Sequence, residues 1–145
     1  VWEVPSGDCI WSIEYHAYVD SLAFISRDLL VSGSPDKTVK IWNLTVGACT
    51  QTLQSACSSP SVVSLQDGSR FAYFSDYHSE RIRICNEKGV CLQTKYIRDF
   101  SSTTRDLVFL PGPQLLARIS YLGLTLWDLS SKPSKPSEQA DRADA

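Results

Sequence analysis

The sequence predicts an all-β chain of repeated four-stranded antiparallel sheets, and three observations carry that expectation. A repeat of about 40 to 43 residues runs through it, each period holds short runs rich in Val, Ile, Leu and aromatic residues, and Gly, Ser, Asp and Pro separate the runs. No stretch signals a helix. The repeat is clearest where Trp2, Gly7, Cys9 and Ile13 fall over Trp42, Gly47, Cys49 and Leu53, each pair 40 positions apart. A third copy has Gly89 and Cys91, both 42 beyond Gly47 and Cys49, with Cys85 in place of the Trp; a fourth begins at Leu126-Trp127-Asp128-Leu129.

Taken in order, the first copy reads as strands near Cys9 to Ile13, Ser21 to Ile25, Leu29 to Gly33 and Thr38 to Trp42. Pro35-Asp36-Lys37 makes the last turn, where the fixed φ of Pro and the backbone-bonding carboxylate of Asp favour reversal. The second copy gives Cys49 to Leu53, Val62 to Leu65, Arg70 to Ser75 and Arg81 to Cys85, with Gln66-Asp67-Gly68-Ser69 as a hairpin turn. The third gives Val90 to Tyr96, Asp106 to Phe109, Leu115 to Ile119 and Leu124 to Trp127, turning at Pro111-Gly112-Pro113. Four short antiparallel strands per period is the arithmetic of β-propeller blades. Three blades do not close a ring of the usual roughly four to eight, so the expectation is a partial propeller over residues 1–129, followed by a disordered polar tail over 130–145. The first and last blades would present uncovered surface unless further blades of the same protein, or another copy of the chain, cover them.

Leu30-Val31-Ser32-Gly33-Ser34-Pro35-Asp36-Lys37-Thr38-Val39-Lys40-Ile41-Trp42-Asn43 resembles the most characteristic stretch of WD-repeat proteins. His16 and the run Val19 to Phe24 resemble that family's Gly-His element and inner strand, with Tyr15 in place of the Gly and Asn43 in place of the Asp after Trp. The resemblance implies a structural hydrogen-bonded chain of His16, Ser32, Asp36 and Trp42. Gly47 to Leu53 also resembles the repeats of fungal NACHT-linked WD-repeat proteins. The other copies are degraded: the second has Ser55-Ala56-Cys57 where a His would stand and Cys85 for Trp, so Phe71, Tyr73 and Phe74 are the candidate fillers. The first blade is therefore expected to be the most stable.

Fourteen Lys and Arg against sixteen Asp and Glu give a net charge of −2, which supplies no positive field for nucleic acid or an acidic membrane. No apolar run reaches the roughly 18 residues of a membrane helix. The lack of any Met is expected of a section of a longer protein. Five cysteines without C-x-x-C or a secretory signal fit reduced thiols and a cytoplasmic location. Cys9, Cys49 and Cys91 recur at one repeat position, which is expected of a small buried apolar residue opening a strand rather than of a metal ligand.

No metal or cofactor site and no catalytic residue is expected. His16, Ser32 and Asp36 contain the residue types of a hydrolytic triad, but Ser32 falls within a strand rather than on a G-x-S-x-G elbow. A propeller-based hydrolase and a degenerate fragment without activity are the alternatives to the leading expectation, a noncatalytic protein-interaction scaffold from a larger cytoplasmic signalling or recognition protein. Its protein or peptide partner would meet the loop face, where Tyr18, Lys37, Tyr77 and His78 offer amphipathic contact area.

Overall fold

The computed structural model describes residues 1–13, 17–58, 60–76, 81–96, 104–112, 114–120 and 123–130, and the regular elements among them are all strands. The first sheet contains β1 (Ser21–Phe24), β2 (Leu29–Ser34), β3 (Thr38–Asn43) and β4 (Ala48–Gln54). The second contains β5 (Val62–Ser64), β6 (Arg70–Asp76), β7 (Arg81–Asn86) and β8 (Cys91–Tyr96); the third, β9 (Thr104–Leu110), β10 (Leu115–Ser120) and β11 (Gly123–Asp128). Neighbours in sequence are neighbours in each sheet and every pairing is antiparallel. This is the arrangement of partial propeller blades, as expected from the repeat. The predicted tail lies outside the described residues after Ser130.

One part of the expectation is corrected. The strand containing the repeated Cys closes its own sheet as fourth member instead of opening the next. The turn between β3 and β4 explains this: Asn43 Oδ1 accepts the backbone N–H groups of Thr45 at 2.9 Å and Val46 at 3.2 Å, and Gly47 takes φ +64°, so β4 is folded straight back onto β3. Asn86 does the same at the corresponding turn of the second sheet, accepting from Lys88 at 3.1 Å and Val90 at 2.9 Å. In the third, Asp128 accepts from the N–H of Ser130 at 2.8 Å. Asn43 thus retains the turn acceptor that an Asp would provide. Cys9 to Ile13 is no sheet strand; Trp2 and Cys9 form an isolated antiparallel bridge that repeats the Trp42–Cys49 pairing.

Strand alternation gives each sheet two faces. Val31, Val39 and Ile41 of the first sheet pack against Val62, Phe71, Tyr73 and Cys85 of the second. The other face of the second sheet, with Ala72, Phe74, Ile82 and Ile84, packs against Leu107, Phe109 and Leu116 of the third. A smaller cluster of Leu30, Trp42 and Leu44 receives Val1 and Ile13 from the N-terminal segment. Gly33 has a steric reason to be Gly: a Cβ there would run into the backbone carbonyl oxygen of Pro60, which belongs to the segment leading into β5. That contact lets the second sheet close on the first.

Candidate functional site

The ladder between β2 and β3 pairs Leu30 with Trp42 and Ser32 with Lys40, which sets Ser32 and Trp42 on one face as diagonal neighbours. There the buried Trp42 Nε1 donates to Ser32 Oγ at 2.9 Å. Asp36 lies in the exposed β2–β3 turn, where its Oδ1 accepts from the backbone N–H of Thr38 at 2.9 Å and from its hydroxyl at 2.6 Å. Lys37 reaches φ +66° in the same turn and donates its N–H to Ser34 O at 3.1 Å. His16 lies outside the described residues. Among the described residues the structure joins Ser32 to Trp42 and sets Asp36 at the β2–β3 turn.

The registers also say what stands at those positions in the other sheets. Tyr73 and Arg118 correspond to Ser32, and Cys85 and Trp127 correspond to Trp42. In the second sheet the bulky and small partners have exchanged places. Tyr73 and Phe71 are fully buried and stacked, with ring centroids 6.1 Å apart and planes at 22°, and Cys85 lies with them in the seam. Two of the three candidate fillers thus face the first sheet, while Phe74 faces the third. Burial, then the Cys85 sulfur, raises the Tyr73 phenol above its ordinary range, against the pull of its hydrogen bond with Arg83.

Two serines unremarked in the sequence link the sheets. Ser21 Oγ accepts the N–H of Val62 at 2.9 Å, and Ser61 Oγ accepts the N–H of Leu107 at 3.3 Å. Each sits immediately before the equivalent aliphatic residue of the inner strand, Leu22 or Val62, and reaches the next inner strand. A Ser preceding an aliphatic strand was the available signal. Ser55 is a third such residue: its buried hydroxyl accepts the N–H of Cys57 at 3.1 Å and lies within bonding range of the carbonyls of Phe74 and Ser75. It ties the end of β4 to the end of β6, in the segment that lacks the His.

The expectation of buried repeat cysteines is overturned. Cys9, Cys49 and Cys91 are exposed, whereas Cys57 and Cys85 are buried. β4 and β8 are outer strands carrying few apolar side chains, so a residue at their start lies at the rim. Both thiols serve locally instead. Cys49 Sγ donates to Gln51 O at 3.2 Å and Cys91 Sγ to Gln93 O at 3.4 Å, each at a β-bulge in its ladder. Among the described residues no group of three or more His, Cys, Asp or Glu could hold a metal ion.

At the loop face, Tyr18 is 84% exposed and Lys37 is exposed as well. Both stand at one edge of the first sheet, since Asp20 N–H bonds Gly33 O at 3.0 Å while Lys37 follows the end of β2. Tyr77 and His78 lie outside the described residues.

No family model matches the chain. It is 28% identical over 146 residues to Protein SPA1-RELATED 3 of Arabidopsis thaliana, a similarity covering 92% of this chain and 16% of that protein. It is 43% identical over 53 residues to Mitochondrial division protein 1 of Neurospora crassa, covering 34% of this chain and 8% of that one. The chain thus spans a small fraction of the length of either relative. The two similarities support the WD-repeat resemblance at family level and nothing finer.

Proposed function

We propose that this chain is part of a WD-repeat propeller and serves as a noncatalytic, cytoplasmic protein-interaction scaffold, its two outer faces covered by further blades of the same protein. The observation that carries this reading is a difference in exposure between equivalent positions. Ile41 and Ile84, in the seams, are 0% and 1% exposed, while Leu126, their equivalent on the outer face of the third sheet, is 50% exposed. At the other end Leu22 is 60% exposed where its equivalents Val62 and Leu107 are 5% and 3%. That end also has an apolar cavity of about 490 Å3, with Leu22, Phe24, Trp2 and Trp42 among its walls. Exposed apolar faces of this kind are the surfaces a repeat array covers with its next unit.

The partner, a protein or peptide, meets the edge carrying Tyr18 and Lys37, and Tyr77 and His78 complete the proposed surface. An exposed Tyr on the same edge as a cation supplies large contact area at low entropic cost. The test is site-specific photo-crosslinking in the complete protein, with the crosslinker at Tyr18 or Lys37 and, as control, at Asp67 or Lys88 on the opposite edge. Adducts confined to the first pair, and lost from a Tyr18→Ala and Lys37→Ala protein, are expected; adducts equally frequent on both edges would overturn the assignment.

A further inference from the structure

We propose that Cys85 and Cys91 are a redox-active dithiol that closes to a cross-strand disulfide when the chain meets a hydroperoxide. The two residues are opposite one another in the β7–β8 ladder. Facing residues of a regular antiparallel pair have Cα atoms roughly 4.5–5.5 Å apart, within the roughly 4.4–6.8 Å that a disulfide spans; here a β-bulge adds Leu92 next to the pair. As register partners they project to the same side of the sheet, and the Cys91 sulfur lies near enough to Cys85 to disfavour its ionisation. Both are reduced in the structure, and solvent reaches one of them, since Cys91 is exposed and Cys85 buried.

This exposure assigns the roles. The Cys91 thiolate attacks a peroxide oxygen, forming an S–O bond as the O–O bond breaks, and the departing oxygen takes a proton and leaves as water or an alcohol. Cys85 then attacks the sulfenic sulfur of Cys91. The S–S bond forms as the S–O bond breaks, and the leaving hydroxide takes the Cys85 proton as a water molecule. Two thiols lose two hydrogens and two electrons, and the peroxide is the species reduced. Burial, reinforced by the Cys91 sulfur, pushes the Cys85 thiol up to about 12, so it is Cys91 that meets the oxidant first. A reversible pair of this kind fits a reducing compartment, where disulfides are transient and redox-sensing.

The chain contains its own control. Cys49 makes the same local bonds as Cys91, to Gln51 O at 3.2 Å and near Thr52 Oγ1 at 3.6 Å, but the residue opposite it is Trp42 instead of a thiol. The test treats the folded chain with hydrogen peroxide, blocks remaining thiols by alkylation, and digests with trypsin, which separates residues 84–88 from 89–95 by cleaving after Arg83, Lys88 and Lys95. Expected are these two peptides joined, two hydrogens lighter than their sum and released by dithiothreitol, while Cys49 stays open to alkylation or goes on to sulfinic acid. A Cys85→Ser chain should leave Cys91 as a sulfenic acid that dimedone traps; a Cys91→Ser chain, altered only at the surface, should leave Cys85 reduced. Cys91 oxidising to the same products as Cys49, or joining to Cys9 or Cys49 in preference to Cys85, would overturn the proposal.

Discussion

The first and second sheets fill the same space with opposite choices. In the first, a large Trp42 on β3 sits diagonally from a small Ser32 on β2 and donates its indole N–H to that hydroxyl. In the second, a small Cys85 on β7 accompanies a large Tyr73 on β6, braced by Phe71. In these two sheets one large and one small side chain occupy the equivalent positions, and the strand that supplies the large one differs. The presence of Cys85 where the first sheet has Trp42 is therefore no sign that the second sheet is hollow; Cys85 is 1% exposed and Tyr73 equally so.

Cutting away the large member of each pair should have the greatest effect. Trp42→Ala and Tyr73→Ala should each destabilise by about 3–5 kcal/mol in denaturant unfolding, because the transfer and cavity costs of a buried aromatic add together. Ser32→Ala and Cys85→Ala should each cost about 1 kcal/mol, the net worth of one hydrogen bond or of a single small group. If Cys85→Ala costs as much as Tyr73→Ala, the exchange described here is wrong. Transplanting the second solution into the first sheet sharpens the comparison: the Ser32→Tyr, Trp42→Cys double variant should be less destabilised than the sum of its singles, by about 1–3 kcal/mol. Strict additivity would show that the two positions do not share one volume.

Equivalent positions of different sheets give the next prediction. Ile41→Lys places an ammonium in a seam and should abolish cooperative unfolding, whereas Leu126→Lys in the isolated chain should change stability by only about 0.5 kcal/mol. The complete protein should penalise both, if a further blade covers Leu126. The smallest effect belongs to the Gln66–Ser69 turn. Burial works against ionisation of Asp67, but the Arg70 side chain and the N–H groups of Ser69 and Arg70 outweigh it and hold the carboxyl below its ordinary 3.8. A depressed folded value means a stabilisation fully present above about pH 4 and lost as the pH falls through the folded pKa. Asp67→Ala should accordingly cost under about 1 kcal/mol at neutral pH, as befits an exposed pair, with the difference from the parent chain vanishing in acid titration.

The strands were legible because alternation and turn chemistry are local properties. Pro35-Asp36-Lys37 and Gln66 to Ser69 lie at the β2–β3 and β5–β6 turns, as read from the residues. The frame of the unit was not legible, because a period can be cut anywhere and only the pairing of β4 with β3 decides which strand ends a sheet. Cysteine burial was misread for a related reason: recurrence shows that a position is equivalent between repeats without showing whether it faces a seam or the rim. The polar company of Cys49, in Thr50, Gln51 and Thr52, was the overlooked indication of a rim strand. Ser21 and Ser61 escaped notice because a Ser before a strand reads equally well as an ordinary turn residue.

The most direct test of the stacking is through-space NMR contacts between inner strands. The account predicts cross-peaks joining Ser21 to Val62 and Ser61 to Leu107, with none from β1 to β9. Contacts between Ser21 and Leu107, or the absence of both predicted pairs in a folded chain, would show that the sheets do not follow one another in chain order.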